Sequence, residues 1–230
     1  MHRYIGDKAF YRRMLAVVLP LIIQNSITNF VSLLDNIMVG QVGTMQMSGV
    51  AIVNQLLFVF NLTVFGAISG AGIFTAQFFG SRNDEGIRHT FRFKVLVGLA
   101  LAVAGIVIFL LGGNTLIGLY LQGEGEAENA SAILAHGLEY LRIMFFGLPA
   151  FTLSTAYAST IRESGETKVP MVASSCAVLV NLAFNYILIF GHFGFDAMGV
   201  QGAAIATVIS RYVELAIVSV WTHANACHYN

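Results

Sequence analysis

The sequence predicts an all-α integral membrane protein, a bundle of six transmembrane helices. Of its 230 residues, 57% are hydrophobic and only 10% are charged. A water-soluble domain carries about 25% charged residues, so this balance points to a lipid environment. The apolar residues also fall into six long stretches separated by polar segments. A bilayer is therefore the expected solvent for most of the chain.

Most of the apolar stretches are near the length of a membrane-spanning helix, which needs about 20 residues. Helices satisfy every backbone polar group within one segment, and the stretches lack the two-residue alternation of a membrane strand. All six are therefore predicted to be helices. The predicted spans cover residues 14–35, 50–79, 95–121, 138–160, 169–190 and 198–221.

Prolines and glycines add detail to these helices. Pro20 lies inside the first span and predicts a helix bend, because proline removes a backbone hydrogen bond. Pro149 predicts the same for the fourth span, whereas Pro170 begins the fifth. Glycines that allow close helix approach lie on the second and sixth spans: Gly66, Gly70, Gly199 and Gly202.

Lysine and arginine are concentrated in every second loop. Ten of the twelve lie in the segments 1–13, 80–94 and 161–168, and the alternate loops contain none. Positively charged short loops tend to stay in the cytoplasm. We therefore expect a multi-pass protein of the cell inner (plasma) membrane with both termini cytoplasmic.

Composition also argues against several classes of protein. Twelve basic and twelve acidic residues give a net charge of zero, so no nucleic-acid partner is expected. We find no nucleophile with its base, no metal-binding constellation and no phosphate cradle. Three residues crowded into the C-terminal tail are interpreted as incidental rather than as metal ligands: His223, Cys227 and His228. No catalytic residue, metal site or cofactor is therefore predicted.

Polar side chains form stripes along four of the predicted helices. On the first, at 100° per residue, they fall within an arc of about 120°. Such a face must contact protein or water, so we predict a common central cavity, with interhelical hydrogen bonding as the alternative. The predicted cavity residues are Gln24, Asn25, Thr28, Ser32, Asn54, Asn61, Ser174 and Ser210.

Asp35 differs in kind from these amides and hydroxyls. An ionised Asp at the centre of a membrane helix costs about 2.5–3.5 kcal/mol. It lies about 33 Å along the helix from Arg13, close to the predicted outer interface. A solvated edge residue and a cavity carboxylate are both consistent with that depth, and the apolar residues 37–39 beyond it favour the cavity. Arg211 and Glu214 are predicted to form a structural i,i+3 ion pair.

Several motifs resemble the multidrug and toxic compound extrusion (MATE) transporters. The sequence LLDNIMVG (33–40) follows Pro20 as in the first helix of that family. Four further segments keep the family's order and spacing across nearly the whole chain: GAGIFTAQFFGSRN (70–83), IRESGETKVPM (161–171), NLAFNYILIFG (181–191) and GVQGAAIATVIS (199–210).

This resemblance implies a cation-coupled antiporter that exports amphipathic, often cationic, compounds by alternating access between two six-helix lobes. Asp35 matches the family's first-helix acid, a candidate proton or sodium site, with Pro20 as the bend of that helix. Asn181 and Thr207 match residues that accompany the acid. Asn185 stands where some members have a second aspartate, which leaves one carboxylate in the cluster and makes a proton more plausible as the coupling ion.

The resemblance also implies a missing partner. Residues 1–230 correspond to the amino-terminal lobe, and the family's second lobe is absent. We expect a fragment, a split gene or, less readily, a half-transporter that pairs with a second copy. Alternatives are a flippase of lipid-linked precursors or another related exporter, and less readily an integral-membrane enzyme or a passive channel.

Overall fold

The chain folds into a bundle of long helices. The computed structural model describes residues 7–121 and 127–225, and every regular element within them is an α-helix. The helices are α1 (Lys8–Gly40), α2 (Thr44–Gly80), α3 (Asp84–Tyr120), α4 (Ala127–Met144), α5 (Gly147–Glu163), α6 (Lys168–Phe190) and α7 (Val200–Ala224). Five of them are long and apolar enough to cross a membrane, and α4 with α5 forms a sixth, bent candidate.

The fourth predicted span is two helices rather than one. Instead of a single helix over 138–160, α4 and α5 meet at an angle of 51°. Pro149 explains the break, since it has no N–H to donate to the carbonyl of Phe145. Turn residues 145 and 146 separate the two helices. Pro149 therefore interrupts the helix at residue 145, four residues before the proline itself.

Short capping interactions set several helix ends. The Asp7 side chain accepts a hydrogen bond from the Phe10 amide at 2.7 Å, which starts α1. Asn83 accepts one from the Gly86 amide at 3.0 Å, which starts α3. At the end of α6, Gly191 adopts the left-handed conformation with φ of 74°. α1, α2 and α3 begin before the apolar spans predicted at 14–35, 50–79 and 95–121, whereas α6 nearly coincides with its predicted span.

Helix packing leaves α1 at the periphery. α7 packs against α4, α5 and α6, and α2 packs against α3, α4 and α5, whereas α1 contacts mainly α6. Only 6% of the most apolar 18-residue window of α1 is buried within the bundle. We call the end formed by the turns after α2 and α5 the basic end, because it carries the Lys- and Arg-rich segments.

One glycine allows α6 and α7 to approach closely. A Cβ added at Gly202 would lie 2.7 Å from the carbonyl carbon and oxygen of Leu188. The sequence also predicted close approach at Gly66 and Gly70 of α2, but a Cβ there meets no described atom within 4 Å. These two glycines lie on an open face of the bundle, so for them the prediction was wrong.

A buried ion pair joins α3 to α5 near the basic end. The Lys94 ammonium is fully buried and contacts a carboxylate oxygen of Glu163. Ser159 Oγ and Thr160 Oγ1 each lie 3.3 Å from the same nitrogen. Lys94 was assigned to a basic loop from the sequence, but α3 begins ten residues before it. We refer to Lys94, Ser159, Thr160 and Glu163 as the Lys94 cluster.

The close contact at Gly202 generates a first prediction. Gly202→Ala should lower stability by about 1–3 kcal/mol, because the new methyl group meets backbone atoms that cannot rotate away. The thermal unfolding midpoint of the purified chain in detergent would measure the loss. Gly66→Ala is the matched control and should be neutral or slightly stabilising. Equal midpoints for the two variants would contradict the close packing of α6 on α7.

The Lys94 cluster generates a second prediction. Lys94→Met should destabilise the chain by about 3–5 kcal/mol, because it leaves the Glu163 carboxylate without its cation inside the bundle. Adding Glu163→Gln to that variant removes the uncompensated charge and should restore most of the loss. Unfolding midpoints of the wild type, both single variants and the double variant would test this coupling. Additive losses would show that the pair does not interact.

Candidate functional site

A polar cavity lies between α1, α5, α6 and α7. Its volume is about 360 Å³, and Phe65 of α2 closes one side. Most of the residues that the sequence predicted for a cavity or an ion site do line it, because they recur at helical spacing on the faces that meet here. Those residues are Gln24, Asn25, Thr28, Ser32, Asp35, Ser174, Asn181, Thr207 and Ser210.

Two predicted cavity residues lie elsewhere. Asn54 is exposed and accepts a hydrogen bond from the Tyr140 hydroxyl at 3.3 Å, and Asn61 is half-buried on the same helix. Neither lines the cavity in the described structure. Their helix, α2, packs mainly on α3, α4 and α5, so its polar stripe does not reach the face shared by α1 and α6. Pro20 lies within α1, one turn before Gln24, and the helix continues through it.

The Asp35 cluster, formed by Asp35, Asn181, Asn185 and Thr207, occupies one end of the cavity. Asn185 Nδ2 donates to Asp35 Oδ1 at 2.6 Å, and it also lies 3.2 Å from Asn181 Oδ1. The Asn181 amide in turn lies 3.3 Å from Thr207 Oγ1. Asp35 is half-buried, while Asn185 behind it is fully buried and does not line the cavity. Hydrogen bonds therefore link residues of three helices to one carboxylate.

The side-chain amides of this cluster can hydrogen-bond in more than one orientation. When the oxygen and nitrogen of Asn181 are exchanged, its nitrogen lies 2.9 and 3.0 Å from the two Asp35 oxygens. In the described structure Asn185 Oδ1 is buried and has no hydrogen-bond partner. A buried acceptor without a hydrogen bond is energetically costly, so rotation of the Asn185 amide becomes favourable when a donor is available to its oxygen.

The Glu214 cluster, formed by Gln24, Ser174, Arg211 and Glu214, occupies the other end of the cavity. Gln24 Nε2 donates to Ser174 Oγ at 2.8 Å, and Ser174 Oγ donates to Glu214 Oε1 at 2.6 Å. Arg211 lies 3.5 Å from Glu214 Oε2, in line with the predicted pair. Its guanidinium carbon also lies 5.0 Å from the ring centre of Phe151. Both charges of the predicted structural pair therefore face the cavity.

α5 also contributes to the cavity, although the sequence predicted no cavity residue on it. Phe151, Ser154, Thr155 and Arg162 all line the cavity from this helix. The last three follow Phe151 by three, four and eleven residues, which is the spacing of a stripe along one helix face and could have been recognised. The sequence predicts Arg162 in a basic loop, whereas α5 continues to Glu163.

The described residues contain no group of three or more His, Cys, Asp or Glu side chains placed to hold a metal ion. Cys227 and His228, two of the tail residues weighed as ligands, lie outside the described residues. The cavity does hold four charged side chains, two acidic and two basic: Asp35, Glu214, Arg162 and Arg211. Charges inside an apolar bundle are costly and typically mark ion or substrate pathways.

A helical membrane bundle with a charged cavity among its helices has the form of a membrane transporter. The chain belongs to the MatE family, whose model matches residues 20–187. It is 28% identical over 210 residues to the "Probable multidrug resistance protein NorM" of Thermotoga maritima, covering 90% of this chain and 43% of the relative. It is 30% identical over 215 residues to the "Probable multidrug resistance protein YoeA" of Bacillus subtilis, covering 92% and 44%.

Solved structures show the same fold. A crystal structure of MATE in the straight conformation matches with a TM-score of 0.77 at 19% identity, covering 94% of this chain and 45% of that one. MATE in the bent conformation matches with a TM-score of 0.75 at 18% identity, covering 94% and 46%. The resemblance seen in the motifs is thus confirmed. The chain spans less than half the length of the relatives it matches.

The cavity generates a prediction about water access. In a chain with Cys176 and Cys227 replaced by Ala, Ser32→Cys should react about tenfold or more faster with a charged, membrane-impermeant thiol reagent than Leu33→Cys. Ser32 lines the cavity, whereas Leu33 is on the exposed apolar surface of α1, where a thiolate cannot be solvated. Reaction rates in lipid vesicles would measure this. Equal rates at the two neighbouring positions would exclude a water-filled cavity.

Proposed function

We propose that this chain is the amino-terminal lobe of a cation-coupled antiporter that exports amphipathic, often cationic, compounds by alternating access. One observation carries the proposal: a carboxylate inside the helical bundle, that of Asp35, faces the cavity and accepts a 2.6 Å hydrogen bond from the buried Asn185 amide. An acid in such a place can take up a cation on one side of the membrane and release it on the other.

The composition of the Asp35 cluster favours a proton over sodium as the coupling ion. Sodium would be bound by oxygen atoms, and the cluster offers one carboxylate, two amide oxygens and one hydroxyl. A single negative charge compensates poorly for the water that sodium would lose. A proton needs only Asp35 itself, because shielding from water favours the neutral form of a carboxyl group.

Proton uptake would rearrange the amides around Asp35. The ionised carboxylate accepts N–H groups, whereas the neutral carboxyl donates one O–H. Asn185 Nδ2 lies 2.6 Å from Asp35 Oδ1, whereas Asn185 Oδ1 has no hydrogen-bond partner in the described structure. Rotation of the amide would exchange these two atoms and place the oxygen beside the carboxyl group of Asp35. That change alters the bonds between α1 and α6, the helix on which α1 mainly packs. The bend expected at Pro20 gives α1 a point at which to respond.

The cavity walls suit an amphipathic solute. Phe65 and Phe151 offer apolar surface, while amides and hydroxyls offer hydrogen bonds. The remaining walls would come from a second lobe or a second copy of the chain, and the lipid bilayer surrounds the assembly. Both termini would lie in the cytoplasm, in agreement with the charge of the loops.

Flipping of a lipid-linked anionic precursor is the second candidate function. The guanidinium groups of Arg162 and Arg211 line the cavity, and basic side chains are what a diphosphate would need. Asp35 and Glu214 line the same cavity and would repel a group with several negative charges. We therefore favour the antiporter.

The coupling role of Asp35 is testable in cells. In bacteria without efflux pumps of their own, Asp35→Asn should abolish ethidium export driven by the proton gradient, because the site can no longer change charge. One charge crossing 100 mV supplies about 2.3 kcal/mol, about a fiftyfold concentration ratio. Asp196→Asn, in the exposed loop before α7, is the control and should leave export intact. Undiminished export by Asp35→Asn would remove that residue from the coupling site.

The choice of ion is testable by adding a carboxylate. Asn185→Asp would place a second acid beside Asp35 and should create sodium-dependent thermal stabilisation, about 1.4 kcal/mol at ten times the dissociation constant. The wild type should show no difference between sodium and choline salts. Asn36→Asp adds a carboxylate next to Asp35 in sequence but outside the cavity lining, so it should behave like the wild type. Specific sodium stabilisation of the wild type would argue against the proton.

A further inference from the structure

A second recess lies on the outer surface of the bundle, between α2 and α3. Its volume is about 370 Å³, within the range of about 300–1,000 Å³ that is usual for ligand pockets. In the described structure it shares no lining residue with the central cavity. We call it the α2–α3 groove, and its lining consists of Gly70, Ala71, Phe74 and Phe78 from α2 with His89, Thr90 and Phe93 from α3.

The α2–α3 groove is open to the lipid. Phe74 on one wall and Phe93 on the other are each 56% exposed. Gly70 leaves space beside them, since no described atom lies within 4 Å of a Cβ built at that residue. Next to such a glycine the bilayer must supply the packing atoms, because an unfilled gap loses dispersion contacts. The wall of the groove therefore favours a hydrocarbon chain as its occupant.

The length of the groove suits one leaflet of the bilayer. Gly70 and Gly80, the last residue of α2, are ten residues apart, which is about 15 Å of helix. The hydrocarbon core of a bilayer is about 30 Å thick, so this distance is about half of it. Phe78 packs against Gly86 where the groove approaches the turn between the two helices. The groove thus extends from the basic end across about one leaflet.

Two arginines near this end have N–H groups available for an anion. Arg92 is exposed next to Phe93, and it forms no ion pair with any residue that the structure describes. Arg88 lies one turn earlier on α3, and its Nε atom is buried without a hydrogen-bond partner in the described structure. Of the neighbouring charged groups, Glu85 lies 3.6 Å from His89 Nε2. An anion beside the two arginines would satisfy donors that the described residues leave unused.

We infer that the α2–α3 groove binds one anionic phospholipid, with an acyl chain along Gly70 and Phe74 and the phosphate at Arg88 and Arg92. The segment 82–92 contains three arginines and two carboxylates, so its charge complements that of the headgroup. Basic pockets between membrane helices bind such headgroups, and the cytoplasmic leaflet, where the basic end is expected to lie, carries anionic lipids. This lipid is a bound partner rather than an exported compound, so the inference does not depend on the proposed function.

Competition between two lipids tests the groove. The purified full chain is equilibrated in detergent micelles with equal amounts of phosphatidylglycerol and phosphatidylcholine that have the same acyl chains. Native mass spectrometry then measures how much of the chain retains each lipid. The readout is the ratio of phosphatidylglycerol-bound to phosphatidylcholine-bound chain in one spectrum, which does not depend on the amount of protein.

The headgroup contact is tested by an arginine variant. The wild type should retain mainly phosphatidylglycerol, and Arg92→Gln should lower the ratio about fivefold, the effect of one basic residue beside an anionic headgroup. Arg12→Gln is the matched control, because Arg12 is exposed on α1 and lies on a different surface. It should leave the ratio unchanged.

The acyl-chain contact is tested by filling the groove. Gly70→Leu should lower the ratio about tenfold, because the new side chain displaces about two methylene groups of the lipid from the groove. Gly66→Leu is the matched control, since a Cβ there also meets no described atom within 4 Å but Gly66 does not line the groove. It should behave like the wild type.

The other outcomes overturn the site. Equal retention of the two lipids by the wild type, or an unchanged ratio in Arg92→Gln or Gly70→Leu, would exclude it. An equal loss in Arg12→Gln would show a general attraction of the basic end for anions and would exclude it as well. Glycerol 3-phosphate in excess supplies the same phosphate without acyl chains. Retention of phosphatidylglycerol in its presence supports the lipid, whereas displacement would assign the arginines to a soluble phosphate instead.

Discussion

The hydrogen bond from the Asn185 amide to the Asp35 carboxylate is the interaction on which the cavity depends. It joins α1 to α6 inside an apolar bundle, where an unpaired carboxylate would be costly. Hydrophobic burial holds α1 only weakly, because most of its apolar residues face away from the bundle. The position of α1 therefore depends strongly on this polar contact. The protonation state of Asp35 and the position of α1 are therefore linked.

The rest of the bundle supplies a rigid background for that contact. Fully buried Val53, Val64 and Ile117 belong to a continuous apolar core. Near the basic end, the Lys94 cluster ties α3 to α5, and Gly202 brings α7 against α6. These elements fix the walls of the cavity, while α1 forms its less constrained side. Such a division between a packed framework and a loosely held element is common where a protein must change shape.

The two ends of the cavity carry different charged groups. One end has a carboxylate surrounded by amides, and the other has two guanidinium groups and a glutamate. α1 and α6 supply the carboxylate and the amides of one end, whereas α5 and α7 supply the arginines of the other. The relatives named as multidrug resistance proteins are more than twice as long as this chain. The charges described here are thus those of a chain that spans less than half the length of these relatives.

The sequence by itself determined the membrane class, the helical architecture and most of the polar cavity lining, because apolar length and helical periodicity are local properties of the chain. It also identified Asp35 as a candidate functional residue, because an ionised carboxylate inside a membrane helix is energetically costly. Only the tertiary structure decided that α2 turns Asn54 away from the cavity and that Arg162 and Glu214 face into it. It also set the size of the bend that the sequence predicted at Pro149, which is 51° between α4 and α5. Those outcomes depend on which helix packs against which face, and no local pattern encodes that choice because each stripe could have met several partners.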